Sequence, residues 1–207
     1  MVEVATSLLN VKRENAIRTL YDLEAAKTDY FHIDVMDGKF VSNDTSSIMR
    51  EYCEYLNSIS NLPLDVHLMV EDVKSYIDSY LVYEPNIITF HYEACKDKEQ
   101  VLEYLKYIKE RNCRVGLAIK PNTPIEEITE FLPYMHMVLI MTVEPGKGRT
   151  ENTRACYSKS GSNAKILRNK PYRYRHGSRW WCYLRKCFYA YCERSEYNRG
   201  RNRNCFV

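Results

Sequence analysis

Nowhere does this 207-residue chain contain a G-x-G-x-x-G run, a C-x-x-C pair or an apolar stretch long enough to cross a bilayer. The first absence removes the glycine cradle of a dinucleotide-binding open sheet. With no C-x-x-C among eight cysteines and nothing suggesting secretion, reduced thiols are expected. The lack of a long apolar run, and of a basic leader in residues 1–7, points to a cytoplasmic protein that contacts no membrane. Aspartate is also missing, but only from the later part of the chain: the last one is Asp97.

The charge breaks as well. Residues 1–148 carry 15 Lys and Arg against 24 Asp and Glu, whereas residues 149–207 carry 15 against 3. Five of the eight cysteines and both tryptophans lie beyond Gly148. The chain therefore divides into an acidic portion, 1–148, and a basic, Tyr- and Cys-rich segment, 149–207. Its length allows one domain with a sizeable core, somewhat short of the roughly 250 residues typical of an eight-fold α/β barrel.

What is present is concentrated in Phe31-His32-Ile33-Asp34-Val35-Met36-Asp37-Gly38. Read as a strand, it puts His32, Asp34 and Met36 on one face and Ile33 and Val35 on the other. Asp37-Gly38 ends it, because Gly reaches turn dihedrals freely and Asp bonds its own backbone; Asp37 is thus a turn former. Residues 64–70 repeat the arrangement, with His67 and Met69 of one parity and Val66, Leu68 and Val70 of the other. A lone buried histidine is more often structural. Two histidines, an aspartate and two methionines on neighbouring strands instead favour a site, and imidazole nitrogen with carboxylate oxygen suits a divalent Zn, Fe, Mn or Co ion.

The pattern predicts strands at 2–9, 30–36, 64–70, 86–91, 114–120 and 137–143, with helices at 15–26, 46–56, 73–81, 98–111 and 124–132. In the first helix the apolar spacing runs through Ile17, Leu20, Leu23 and Ala26. Such alternation implies parallel strands joined by right-handed crossovers. Ser7, His32, Asp34, His67, His91, Glu93 and Met141 all fall at the C-terminal ends of these strands, where a barrel keeps its active site.

Six segments then carry a family resemblance: S-L-L-N at 7–10, H-I-D-V-M-D-G-K-F-V at 32–41, D-V-H-L-M-V at 65–70, F-H-Y-E-A at 90–94, G-L-A-I-K-P-N-T-P at 116–124 and M-T-V-E-P-G-K-G at 141–148. Together and in this order they resemble ribulose-phosphate 3-epimerases. The resemblance implies a (β/α)8 TIM-type barrel, here incomplete after the sixth strand, and a homo-oligomer. It implies a metal-assisted interconversion of ribulose 5-phosphate and xylulose 5-phosphate, in the pentose phosphate pathway, through an enediolate. Asp34 would be the first acid/base and a metal ligand alongside His32 and His67. Ser7 and His67 would contact substrate, Met36, Met69 and Met141 would line its apolar side, and Gly146, Lys147 and Gly148 would begin the loop near its phosphate. Glu93 would support the ligands from behind. Ser42 and Lys147 replace the usual Pro and Phe of these motifs. A hexulose-phosphate 3-epimerase is the nearest alternative enzyme, and His32 with His67 favour the metal-dependent relatives over the metal-independent ones.

After Gly148 the family pattern stops. Read one nucleotide later, however, codons compatible with the written residues restore it. Trp180 and Trp181 are TGG, so both shifted codons encode Gly, and with CGA at Arg179 the run Arg179-Trp180-Trp181-Cys182 permits D-G-G-V. Arg149-Thr150-Glu151-Asn152 permits G-Q-K-I, and residues 195–204 permit V-N-I-I-V-A-G-T-A-I. Residues 149–207 are therefore expected to be a frameshifted remainder of the barrel, which removes the second catalytic Asp and makes activity of the written chain doubtful. As a rival, the basic aromatic segment has the composition of a single-strand nucleic-acid binder, but the frame shift explains that composition without any such partner. A zinc module on Cys182, Cys187 and Cys192 fits no common finger spacing.

Overall fold

The computed structural model describes residues 4–141 and 143–146 together with the backbone of one later strand, 181–185. Seven strands follow one another in a single parallel sheet whose spatial order is the chain order: β1 Ala5–Ser7, β2 Tyr30–Met36, β3 Leu64–Met69, β4 Ile87–His91, β5 Arg114–Ile119, β6 Met137–Met141 and β7 Trp181–Arg185. Helices α1 Ala16–Ala25, α2 Ser46–Ile59, α3 Val73–Leu81 and α4 Lys98–Lys109 fill the first four crossovers, and a 3-10 helix, Ile125–Tyr134, fills the fifth. Such a sheet, with helices between its strands, is a partial (β/α)8 barrel. Among the described residues β1 pairs only with β2 and β7 only with β6, so the described sheet is open, as expected. The described sheet runs one strand further than expected. β6 is not an edge, because residues 181–185, an apolar and aromatic run of high β-propensity, pair along its whole length.

The two faces of each strand do different work. Ile33, Val35, Val66, Leu68, Ile88, Phe90, Val115, Leu117, Val138 and Ile140 share one continuous core with Tyr52, Leu56, Ile77, Tyr80, Leu105 and Ile108 of the helices. The opposite parity, carrying His32, Asp34 and Met36, faces the inside of the curled sheet and is equally buried; the polar face is not a solvent face. Register sets this inner surface in rows. Ser7, His32, Asp65 and Ile87 lie side by side in one, and Asp34, His67, Thr89, Gly116 and Met137 in the next.

Local signals explain the helix starts. Asp72 and Asp97 precede α3 and α4, and each accepts a backbone N–H three residues on, from Ser75 and Gln100. α1 departs from the expected stripe: Ala16 and Leu20 are its buried residues, while Ile17 is 49% exposed beside an exposed Tyr21. The last helix is 3-10 throughout and carries Pro133 inside, since an i→i+3 ladder bends more readily around a missing N–H than an α-helix does.

Candidate active site

Asp34, near the C-terminal end of β2 and 0% exposed, is the centre of the site. Its Oδ2 accepts from the Ser7 hydroxyl at 2.7 Å. Its Oδ1 lies 3.1 Å from His32 Nε2 and 3.3 Å from His67 Nδ1. Ser7 comes from β1, His32 from β2 and His67 from β3, so three consecutive strands deliver one carboxylate and its three partners to one point. The loop after β2 is held rigidly. Thr45 donates to the Asp34 carbonyl at 2.6 Å and accepts from Met36 N–H at 3.0 Å. Asp37 is the turn former expected: Oδ1 accepts from the N–H groups of Lys39 and Phe40, and Oδ2 reaches across to Glu71 N–H.

The electrostatics are those of a cation site. His32 Nδ1 lies 2.7 Å from Asp65, which leaves its Nε2 toward Asp34. Burial alone would lower the His32 pKa, but the Asp34 and Asp65 carboxylates on either side outweigh it and raise it from 6.5 to about 9. With the ring neutral and its proton on Nδ1, a lone pair would face Asp34 Oδ1, an arrangement that needs a proton or a metal ion between the two acceptors. One donor atom each from His32, Asp34 and His67 lies within 4.8 Å of the others, so these residues fit a divalent ion with nitrogen and oxygen ligands.

Behind His67 the buried polar chain continues. His67 Nε2 is 3.0 Å from His91 Nε2, and His91 Nδ1 is 3.2 Å from Glu93 Oε2. Glu93 Oε1 accepts from the Lys120 N–H at 2.7 Å and from the Thr123 hydroxyl. Burial would raise the Glu93 pKa; the hydrogen bonds from His91, Thr123 and the Lys120 amide outweigh it and hold the carboxyl below its usual range.

The remaining expected residues are placed less centrally. Met36 and Met69 are register partners just beyond Asp34 and His67, clustered with Val41 and Phe40. Met141 is buried separately with Ala118 and Leu139. Gly146 adopts φ 73° and its carbonyl accepts from Asn43, where an added Cβ would sit 2.8 Å from that of Val41. Lys147 and Gly148 lie outside the described residues, as do Cys187, Cys192 and, apart from the backbone of residues 181–182, the frame-shifted motifs. Asp65 and the link through His91 were not assigned roles from sequence. Asp65 shares the parity of His67, and His91 precedes Glu93 by two, which were the available signals. An open surface depression of about 560 Å³ beside α1, lined by Arg13, Arg18, Tyr21 and Tyr55, contains none of these groups.

An incomplete parallel α/β barrel with a buried histidine–carboxylate cluster at the carboxyl ends of its strands defines the class. Residues 3–173 match the Ribulose-phosphate 3 epimerase family, and the chain belongs to it. It is 35% identical over 148 residues to a ribulose-phosphate 3-epimerase of Bacillus subtilis, covering 72% of this chain and 66% of that protein. The relative from Treponema pallidum is 34% identical over 171 residues, covering 83% and 76%, and that from Methanocaldococcus jannaschii 34% over 146 residues, covering 70% and 59%. The chain thus spans roughly three-fifths to three-quarters of these relatives' length. Among solved structures, a mutant tryptophan synthase α-subunit from Pyrococcus furiosus superposes with TM-score 0.54 at 12% identity, covering 87% of this chain and 85% of that one, a likeness of fold alone. Among the described residues no helix is long and apolar enough to cross a membrane.

Proposed function

We propose that this chain binds a ketopentose phosphate, ribulose 5-phosphate in the first instance, and exchanges the proton on the carbon beside its carbonyl, with Asp34 as the base. The observation that carries this is the convergence of Ser7, His32 and His67 on one fully buried carboxylate. His32 Nε2, Asp34 Oδ1 and His67 Nδ1 would hold a divalent cation, which when bound would stabilise the negative charge developing on the substrate oxygens. Ser7 would hydrogen-bond the substrate once Asp34 turns to it, Met36, Met69 and Met141 would exclude water from its apolar side, and residues 146–148 would lie near its phosphate. In this reading the enzyme is cytoplasmic and homo-oligomeric, as its family resemblance implies.

Inversion at that carbon needs a second acid on the opposite face. In the shifted reading frame that acid is encoded at Arg179, so the written chain holds one member of the pair. Asp34 takes the C3 proton, exchanges it with solvent and returns it to the same face. Proton NMR of ribulose 5-phosphate in deuterium oxide, with the chain and cobalt or manganese, is expected to show loss of the C3–H signal without xylulose 5-phosphate. Retention of C3–H in the presence of bound metal would overturn the role of Asp34.

A further inference from the structure

We propose that Lys120 is a substrate-binding residue whose ammonium takes the phosphate dianion of the sugar phosphate at the mouth of the sheet. This deepens the function proposed above and rests on it for the identity of the substrate. Lys120 is the first residue after β5 and Phe40 belongs to the loop after β2, so β3 and β4 lie between the strands that carry them. The two side chains nevertheless meet: Lys120 Nζ lies over the Phe40 ring, 4.3 Å from its centroid. Both backbones are pinned. Asp37 accepts from the Phe40 N–H, and Glu93 accepts from the Lys120 N–H. The Phe40 ring also packs beside that of His91, the last residue of β4, and against the cluster of Met36, Val41 and Met69. Lys120 and Phe40 therefore bridge the carboxyl ends of β3 and β4.

Among the described residues no carboxylate pairs with the Lys120 ammonium. A ring face occupies one side of a group that carries three N–H donors, so this contact fixes the cation in place and leaves donors for an anion. The charge balance makes such a cation matter. Residues 1–148 carry 15 Lys and Arg against 24 Asp and Glu, and an acidic surface repels a phosphate dianion unless a positive group is set at the entrance. Val41, in the cluster that Phe40 packs on, also abuts Gly146, the residue placed nearest the phosphate in the reading above. Lys120, Phe40, Val41 and Gly146 are thus joined contact by contact, which puts the ammonium on the side of the mouth that the phosphate takes.

The test is equilibrium binding of ribulose 5-phosphate, and separately of inorganic phosphate, to the full-length chain by 31P NMR, beside proton NMR of C3–H exchange in deuterium oxide. Lys120→Met is expected to weaken both ligands about 10- to 100-fold, because it removes a hydrogen bond between charged groups, and Lys120→Arg to restore most of the affinity. Lys96→Met, which removes an equal charge from the exposed loop after β4, is expected to leave affinity unchanged. A Lys120→Met chain with a lower urea midpoint and undiminished affinity would show a packing role alone and overturn the proposal. Equal losses in Lys96→Met and Lys120→Met would also overturn it, since a diffuse field and not a fixed seat would then attract the anion. Should the Lys120 variants fail to fold, the wild type decides: added phosphate is expected to shift the Lys120 ε-CH2 and Phe40 ring resonances, and their silence would sink the assignment. Phosphate binding that depends on Lys120 without any C3–H exchange would remove Asp34 as the base and leave Lys120 as the anion seat.

Discussion

The raised pKa of His32 makes the stability of the metal-free chain depend on pH in a specific direction. Protonated His32 is held between Asp34 at 3.1 Å and Asp65 at 2.7 Å, and its pKa moves from 6.5 to about 9. A raised folded-state pKa means that the stabilisation is complete below the unfolded value of 6.5 and is lost as pH rises through about 9. The gap is worth roughly 3 kcal/mol in all, of which roughly 2 kcal/mol is lost between about pH 6 and about pH 8.5. Urea unfolding followed by circular dichroism in the presence of a chelator measures it. Asp34→Asn and Asp65→Asn each remove one of the two charges, so each is expected to flatten the profile. A wild-type profile flat over this window, or one whose slope survives both substitutions, would refute the electrostatic reasoning. That proton would compete with the proposed metal, so apparent Co2+ affinity is expected to rise as pH increases toward about 9, by about tenfold per pH unit.

Two further perturbations probe the frame around the site. A Cβ at Gly116 would collide with Thr89 Oγ1 and lie 3.1 Å from Met137 Cε, within the same inner row as Asp34 and His67. Gly116→Ala is therefore expected to lower unfolding free energy by about 1–3 kcal/mol, read as a lower urea midpoint, and an unchanged midpoint would contradict the row packing. Burial raises the thiol pKa of Cys53 and of Cys113 to about 12, so peptide mass spectrometry after iodoacetamide at about pH 8 is expected to find both unmodified in the native chain and modified in urea.

The order of elements was readable because each strand keeps strict parity between greasy and polar residues and each is followed by a helical period. Residues 30–36 and 73–81 were bounded correctly for that reason. Asp37 beside Gly38 was legible as a turn from local chemistry alone. Ile17 was misread because hydropathy spacing reports a face, whereas burial depends on what lies opposite; the core is met by Ala16 and Leu20 instead. The strand at residues 181–185 was not expected, since pairing with β6 is a long-range event with no local signature beyond β-propensity. At the site, His32, Asp34 and His67 announced themselves by parity and residue type. Asp65 and His91 did not, because their importance lies in which histidine nitrogen they touch, and only side-chain geometry reveals that.

The most direct test of the whole account compares two polypeptides: the chain as written, and the product of the same coding sequence read one nucleotide later after the Gly148 codon. Both are assayed, with added Co2+, for conversion of ribulose 5-phosphate to xylulose 5-phosphate. The account predicts that the shifted product, which regains an aspartate in place of Arg179, inverts the substrate, while the written chain exchanges the C3 proton without inverting it. Clear formation of xylulose 5-phosphate by the written chain would contradict it.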